Sequence, residues 1–336
     1  MSRSTSTPIE RRAGKLLAVA STLLCLLTVF GPATAQPAYP SRPVEIVVGF
    51  PAGSAPDMVA RTIGNKLKDE LGQPVVVKNL PGASGNLAAA AVAKSSPDGH
   101  TLLLAGNASL VVNQHLFDNM GYDPVRDLAP VSRVVVTPNL LVVPPELPAK
   151  TLAEFVSLAR SRPEGLTYAH VGIGTSQHLA GVFLENLAGV SLTPVPYKGG
   201  PAIYPDLLSG RVSACFCNIG TALPLVRDSK LRALAVTSLK RSPSAPEIPT
   251  LAEAGFAEAD TSAWFGLMLP GGTPTAIVDR LHRALQEAMV AEMRKSFEEL
   301  GMIVALDGSP AEFAKTIETE SNYWQRVLKA KGIKAQ

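Results

Sequence analysis

Residues 44–57 read VEIVVGFPAGSAPD, and this stretch decides the fold class. Val44–Phe50 is an apolar, β-branched run typical of a buried strand, and Pro51–Pro56 contains the Gly and Pro residues of a loop. Apolar residues spaced about one turn apart then predict a helix over Asp57–Leu71. A buried strand that leads through a short glycine loop into a helix is typical of a parallel β-α-β unit.

The next elements continue this alternation. The sequence predicts a strand at Val75–Lys78, an Ala-rich helix at Ser84–Lys94 and a third strand at Thr101–Ala105. Because the connections are short and helices separate the strands, the strands should be parallel, with helices on the faces of the sheet.

The pattern begins again at residue 140. The further strands are predicted at Leu140–Val143, Leu166–His170, Pro194–Pro196, Ala214–Cys217, Leu231–Thr237 and Trp264–Leu269. The further helices are predicted at Gln177–Leu187, Ala202–Leu208, Ala222–Arg227 and Thr275–Leu300, with helix-capping sequences at Thr151, Thr250 and Ser309. The two halves therefore share one plan, which indicates two α/β lobes.

The chain should cross twice between these lobes, near Val134–Pro144 and near Leu239–Pro249. Lobe 1 is accordingly predicted to comprise residues 36–138 and 246–336, and lobe 2 residues 139–245. Each lobe is predicted to be a mostly parallel sheet flanked by helices.

Composition excludes several classes of protein. Of the 336 residues, 46% are hydrophobic and 18% charged, a balance unlike that of disordered, collagenous or coiled-coil chains. The formal net charge is +3, but residues 1–35 carry four of the 31 Lys and Arg and one of the 28 Asp and Glu. Residues 36–336 are therefore neutral, and we expect no nucleic-acid partner.

Residues 1–35 have the organisation of a secretory signal. A basic start precedes the apolar run Leu16–Phe30, and Ala33-Thr34-Ala35 supplies the small residues of a cleavage site. A membrane anchor would need about 20 apolar residues, more than this run provides. Export and cleavage near Ala35 would place the remaining chain in the periplasm.

Two cysteines, Cys215 and Cys217, follow the signal. Alternate residues of a regular strand lie about 6.5–7 Å apart, at the limit of disulfide reach, so we expect no stable bridge. The five histidines are widely spaced, and neither a CxxC nor an HExxH motif occurs. No metal site and no cofactor are expected.

Two strand-loop-helix junctions are candidates for ligand binding. One runs through Pro51–Ser54 to Asp57, and the other through Gly172–Ser176 to His178. The start of a helix presents free N–H groups and a partial positive charge, and glycine lets a ligand approach them. Neither junction has the spacing of a nucleotide-binding loop. A small molecule with two anionic ends would fit such a pair of sites.

Catalytic motifs are weak in comparison. The sequence has no Gly-x-Ser-x-Gly elbow, and Ser176 and His178 would not face each other on a helix. A packing role is favoured for His178, whereas Asp57 is equally consistent with helix capping and with ligand contact. Cys217-Asn218 ends a predicted strand at the expected cleft.

Several longer motifs are similar to those of the Bug family, the extracytoplasmic solute-binding receptors of tripartite tricarboxylate transporters. The motifs are YPSRP (39–43), FPAG (50–53) with Asp57, LGQPVVV (71–77), NLPGASG (79–85), PDG (97–99), PYKG (196–199), KLRALAVT (230–237) and PGGTP (270–274). They span nearly all of residues 39–336.

The resemblance implies a two-lobed periplasmic binding protein of the type II-like fold, with its ligand in the cleft between the lobes and no enzymatic activity. The ligand would be a small mono-, di- or tricarboxylate that a monomeric receptor delivers to membrane permease subunits. A sensor role and a secreted hydrolase or transferase are the alternatives. The expected ligand contacts are Ala52, Gly53, Ser54, Asp57, Asn107, Gly174, Thr175, Ser176, His178, Cys217 and Asn218.

Two departures from the family pattern bear on the ligand. Ser54-Ala55-Pro56 replaces a glycine-rich stretch, and Pro56 lacks an N–H donor. Cys217 stands where the family usually has Asp, which removes an acceptor for a ligand ammonium or hydroxyl group. The departures favour a plain carboxylate, including an aromatic one, over an amino acid.

Overall fold

The structure, a computed structural model, describes residues 39–162, 164–256 and 260–333. The predicted signal peptide lies outside the described residues. Two β-sheets flanked by helices make up the described chain, as the sequence predicts.

The first sheet contains six strands. They are β1 (Val44–Val48), β2 (Val75–Asn79), β3 (Thr101–Gly106), β4 (Leu128–Thr137), β10 (Ala263–Pro270) and β11 (Ile303–Val304), in the order β11-β4-β10-β3-β1-β2. β1 pairs in parallel with β2 and β3, whereas β10 runs antiparallel to β3 and β4, and β11 antiparallel to β4. The helices of this half are α1 (Ala55–Leu71), α2 (Asn86–Ala93), α7 (Thr275–Ala288), α8 (Ala291–Glu299) and α9 (Pro310–Ala330).

The second sheet contains five strands. They are β5 (Asn139–Val143), β6 (Leu166–His170), β7 (Leu192–Pro196), β8 (Ala214–Asn218) and β9 (Arg232–Val236), in the order β7-β6-β8-β5-β9. β6 is parallel to β7 and β8, and β5 is antiparallel to β8 and β9. The helices are α3 (Leu152–Arg160), α4 (Ser176–Ala188), α5 (Gly200–Leu208) and α6 (Ile219–Arg227).

Both sheets have less parallel pairing than the sequence analysis predicts. Parallel pairs are confined to the β-α-β portions, β1–β3 and β6–β8, while β4, β5 and β10 pair antiparallel with their neighbours. A strand that arrives from the other sheet needs no helical crossover, so antiparallel pairing is open to it. β4 is absent from the elements that the sequence predicts, because Val134–Pro144 reads as a crossing segment. The crossing between β4 and β5 is a single residue, Pro138.

The return segment stays with the second sheet for longer than predicted. Val236 N–H donates to Pro249 O (2.8 Å), and Leu251 N–H donates to Val236 O (3.0 Å). Ala245 and Ile248 are buried in the apolar cluster of this sheet. The chain therefore leaves the second sheet after residue 251, beyond the predicted crossing segment Leu239–Pro249.

The predicted capping sequences form their hydrogen bonds. Glu154 N–H donates to the Thr151 hydroxyl (3.2 Å) at the start of α3, and Glu312 N–H donates to the Ser309 hydroxyl (3.2 Å) at the start of α9. Glu253 N–H donates to the Thr250 hydroxyl (3.0 Å), but this segment is a turn instead of the predicted short helix. Local capping chemistry alone therefore does not ensure a helix there.

Clusters of buried apolar residues pack the helices against the two sheets. In the first half, Ile63 and Leu67 of α1 pack with Ile46 of β1, and all three are almost completely buried. Each such side chain stabilises the fold by about 1.5–3 kcal/mol through removal from water. A further cluster joins the two halves, where the Phe183 ring of α4 meets the Trp324 ring of α9 edge-on at 6.1 Å. The two sheets are therefore in direct apolar contact on one side.

The expectation of unbridged cysteines is wrong. Cys215 and Cys217 form a disulfide in β8, and their Cα atoms are 5.3 Å apart. This separation lies within the range that disulfides require, about 4.4–6.8 Å. The strand is contracted at this point relative to regular β spacing, and nothing in the local sequence indicates that contraction.

No helix within the described residues is long and apolar enough to cross a membrane. The same part of the chain has no group of three or more His, Cys, Asp or Glu side chains that could hold a metal ion.

Candidate ligand-binding site

A small cavity lies between the two sheets. It is reached by the carboxyl ends of β1 and β3 from the first sheet and of β6 and β8 from the second. This is the place where open α/β sheets bind their ligands. Its volume is about 40 Å³, far below the roughly 300–1,000 Å³ of typical ligand pockets. A ligand of several carbon atoms therefore does not fit within this volume alone.

The described residues that line the cavity include no Asp, Glu, Lys, Arg or His. From the first sheet and its loops they are Phe50, Ser54, Ala55, Pro56, Gly106, Asn107, Ala108, Ala263 and Phe265. From the second they are Val171, Thr175, Ser176, Gln177, Gly200, Tyr204, Cys217, Asn218 and Thr221. Any electrostatic attraction for a ligand must therefore come from dipoles and not from charged side chains in the wall.

Four helices begin at this cavity, namely α1, α4, α5 and α6. The cap residues of three of them, Ser54, Gly199 and Asn218, make no capping hydrogen bond through a side chain. The Ser54 hydroxyl instead donates to Pro51 O at 2.6 Å. Only α4 is capped in this way, because the Thr175 hydroxyl accepts from His178 N–H at 3.5 Å. Pro56 in α1 and Pro201 in α5 each remove one N–H donor from these helix starts. The other N–H groups and the positive ends of the helix dipoles still converge on a neutral cavity, which is an arrangement that binds anions.

A chain of three side-chain amides lies along one side of the site, and two of them, Gln177 and Asn218, line the cavity. Asn139 Nδ2 donates to the Ser176 hydroxyl (3.0 Å) and to Thr261 O (3.3 Å). Asn218 Nδ2 donates to Asn139 Oδ1 (2.9 Å), and Gln177 Nε2 donates to Asn218 Oδ1 (3.3 Å). The chain connects the start of β5 to the starts of α4 and α6, and thereby fixes the side chains of Ser176 and Asn218 relative to each other.

Two residues with hydroxyl groups, Tyr204 and Thr221, also line this side of the cavity. The Tyr204 hydroxyl donates to Thr221 Oγ1 (2.6 Å), and Thr221 Oγ1 donates to Asn218 O (3.0 Å). Burial raises the pKa of Tyr204 to about 12. The phenol is therefore neutral at physiological pH and adds no negative charge to the cavity.

Six of the residues predicted from the sequence line the cavity. They are Ser54, Asn107, Thr175, Ser176, Cys217 and Asn218. The other five, Ala52, Gly53, Asp57, Gly174 and His178, lie outside its lining. The structure thus brings together part of each predicted junction at the cavity, while Ala52 and Gly53 of the first junction are exposed to solvent.

The Asp57 carboxylate is hydrogen-bonded to residues of the first half of the molecule. Its carboxylate accepts hydrogen bonds from Gly53 N–H (2.9 Å), Asn79 Nδ2 (2.8 Å) and Arg61 Nε (3.0 Å), and it is almost completely buried. Burial alone would raise the pKa of this carboxyl, but the hydrogen bonds from Arg61, Asn79 and Gly53 together lower it below its ordinary value. Asp57 holds the Pro51–Ser54 loop in place, as the capping interpretation predicts.

His178 lines a second and wider space of about 1010 Å³, which shares Phe50 and Val171 with the small cavity. Its ring lies 5.0 Å from that of His170, and its Nδ1 accepts from Gly174 N–H at 3.4 Å. Burial, and then the neighbouring His170, lower the pKa of His178 to about 4. His178 is therefore a neutral side chain that supports the Gly172–Ser176 loop.

Sequence reasoning missed several lining residues. Phe50 and Phe265 supply aromatic walls, and Gln177, Tyr204 and Thr221 supply polar groups. Gln177 and Thr221 stand in the first turns of helices that follow strands, so the strand-to-helix rule could have found them. Phe265 lies within a strand that reads as ordinary core, and the sequence offers no signal for its place at the site.

Comparison with known proteins identifies the family of this chain. A family model described as "Tripartite tricarboxylate transporter family receptor" matches residues 59–333. The chain therefore belongs to this receptor family. The protein BugT of Bordetella pertussis is 36% identical over 323 residues, which are 95% of this chain and 98% of BugT.

Two solved structures share the fold over nearly their whole length. The periplasmic binding protein BugD is 31% identical, with a TM-score of 0.85 over 89% of this chain and 100% of BugD. R. palustris Rpa4515, solved with adipate, is 36% identical, with a TM-score of 0.85 over 89% of this chain and 100% of that protein. The predicted family and the two-sheet binding-protein fold are confirmed.

Proposed function

We propose that this receptor captures a small carboxylate between its two sheets and delivers it to the membrane subunits of a tripartite tricarboxylate transporter. The observation that carries the proposal is the convergence of four helix starts on a cavity without charged lining residues. Such a site can hold a carboxylate through backbone N–H groups. The relative Rpa4515 binds adipate, a dicarboxylate, which supports the same class of ligand here.

Binding should be coupled to closure of two lobes. Lobe 1 would contain residues 36–138 and the C-terminal part of the chain, and lobe 2 would begin at residue 139. We extend lobe 2 past residue 245, because the segment up to Leu251 hydrogen-bonds to β9. Rotation about the two crossings would open and close the cavity.

Location and assembly are further parts of the proposal. Residues 1–35 would be removed on export, so that N-terminal sequencing of periplasmic material should begin near Gln36. The mature receptor would be a monomer without enzymatic activity. Light scattering and a screen of ester, amide and phosphate substrates would test these two statements.

The proposal is tested by calorimetric titration of residues 36–336 with succinate, glutarate and adipate. At least one of them should bind saturably, and Ser176→Ala should weaken it roughly 10- to 100-fold, as expected for loss of a hydrogen bond to a charged group. The matched control is Ser296→Ala in α8, whose hydroxyl only donates to Glu292 O. Absence of saturable binding by every carboxylate tried, or equal effects of the two variants, would contradict the proposal.

A further inference from the structure

The amide chain beside the cavity ends in a free acceptor. Gln177 is 4% exposed and lines the cavity, and its Oε1 is shielded from solvent without a hydrogen-bond partner among the described residues. A buried acceptor that lacks a donor costs free energy, which a ligand with a donor in the right place recovers.

The orientation of the Gln177 amide group follows from Thr261 O at the other end of the amide chain, because a backbone carbonyl can only accept a hydrogen bond. Thr261 O is a backbone carbonyl, so the Asn139 atom that faces it must be the donor Nδ2. Asn139 Oδ1 is then an acceptor and requires Nδ2 of Asn218, which in turn leaves Asn218 Oδ1 to accept from Gln177 Nε2. Turning the Gln177 amide over would place two acceptors 3.3 Å apart. Oε1 is thus the atom of Gln177 left for a ligand.

Other buried groups without partners do not compete for this role. The side chains of His100, Asn113, Thr137, Thr261 and Ser262 also carry a buried polar atom without a hydrogen-bond partner among the described residues, but none of these residues lines the cavity. Among the lining residues, Gln177 alone carries such a group.

We propose that Gln177 Oε1 accepts a hydrogen bond from a hydroxyl group of the ligand, so that the receptor prefers hydroxycarboxylates to the corresponding plain carboxylates. This inference rests on the proposed function, because the helix starts must hold the carboxylate that brings the hydroxyl into place. It also alters the expectation drawn from Cys217, since Gln177 supplies an acceptor that this cysteine lacks.

An ammonium group is a poorer partner for this acceptor than a hydroxyl. The lining residues include no carboxylate to neutralise a cation, and four helix starts place partial positive charge around the cavity. A neutral amide oxygen can satisfy a neutral hydroxyl without any such compensation.

The experiment compares matched ligands by calorimetry on residues 36–336. The pairs are malate with succinate, 2-hydroxyglutarate with glutarate, and 2-hydroxyadipate with adipate. For at least one pair, the hydroxylated ligand should bind about tenfold more tightly, which corresponds to ~1.4 kcal/mol. In Gln177→Met, which keeps the length of the side chain but has no acceptor oxygen, this preference should fall below about twofold.

Two controls separate the possible failures. Gln177→Met also removes the hydrogen bond to Asn218, but that loss affects both ligands of a pair and cancels in their ratio. Gln114→Met changes a half-buried glutamine that bonds to Leu110 O and Ser321 and does not line the cavity, so it should keep the preference. If plain carboxylates bind as tightly as their hydroxylated forms in every pair, or if the preference survives in Gln177→Met, the inference is wrong while the proposed function stands. If no carboxylate of either kind binds, both are wrong.

Discussion

A negative charge placed at the start of α4 should abolish ligand binding while leaving the fold intact. Ser176 is the first residue of this helix, is buried beside the cavity, and accepts a hydrogen bond from Asn139. Aspartate at this position can accept the same hydrogen bond, and a carboxylate in the first turn is favoured by the helix dipole. The substitution Ser176→Asp therefore tests the electrostatics of the site without breaking its local structure.

The expected magnitude follows from Coulomb's law. A ligand carboxylate held at the start of α4 would lie roughly 5–6 Å from the new carboxylate, which at an effective dielectric constant of about 20 gives a repulsion of about 3 kcal/mol. This is an affinity loss of roughly 150-fold. The matched control is Ser176→Asn, because asparagine has nearly the size of aspartate but no charge. Because the pair of charges would be buried, the difference between the two variants should change little on adding salt.

The assay is calorimetric titration of both variants with the tightest-binding carboxylate, together with thermal melts. Similar melting temperatures would show that both variants fold. If Ser176→Asp then binds within about threefold of Ser176→Asn, a carboxylate of the ligand does not lie at the start of α4, and the electrostatic reasoning is refuted.

Three further predictions concern stability. Asp57→Ala should destabilise the protein by about 2–3 kcal/mol in urea unfolding, because it removes charge-assisted hydrogen bonds. Since the pKa of Asp57 is lowered on folding, its contribution should be lost as the pH falls below about 4; an Asp57→Ala variant with unchanged stability at pH 7 would contradict this account. The pKa of His178 is lowered to about 4, so the unfolded chain binds the extra proton between pH 6.5 and 4, and stability should fall by on the order of 3 kcal/mol over that range. His178→Asn, which keeps an acceptor for Gly174 N–H, should reduce this pH dependence. Burial also lowers the pKa of His170, so part of the dependence should remain, and an unchanged slope would count against the account. The bridge between Cys215 and Cys217 closes a very short loop, so its reduction should lower the free energy of unfolding by less than about 2 kcal/mol. Alkylation of the unfolded protein without a reductant should label neither cysteine.

Much of the local structure can be predicted from the sequence. The β-branched run of β1, the glycine loop after it and the capping residues Thr151 and Ser309 identify their elements, because each depends on residues that are close together in the chain. The neutral charge balance of residues 36–336 and the candidate secretory signal are also properties of the sequence itself. The rule that ligands bind where strands end and helices begin pointed to Ser54, Thr175, Ser176, Cys217 and Asn218, which line the cavity.

Only the tertiary structure determines which strand ends and helix starts come together at the cavity. The antiparallel strands β4 and β10, the single-residue crossing at Pro138 and the contraction that bridges Cys215 to Cys217 depend on pairing with distant parts of the chain. The division of each predicted junction into lining residues and supporting residues such as Asp57 and His178 likewise depends on which neighbour occupies each polar atom.

The amide chain shows the physical reason most clearly. Asn139 reaches Ser176, Asn218 and Thr261 across sequence separations of 37, 79 and 122 residues. A hydrogen bond needs its two atoms within about 3.5 Å and in good alignment, and no local pattern of residues encodes a distance over such separations. The sequence supplies the donors and acceptors, and the packing of the two sheets determines which acceptor, that of Gln177, is left for a ligand.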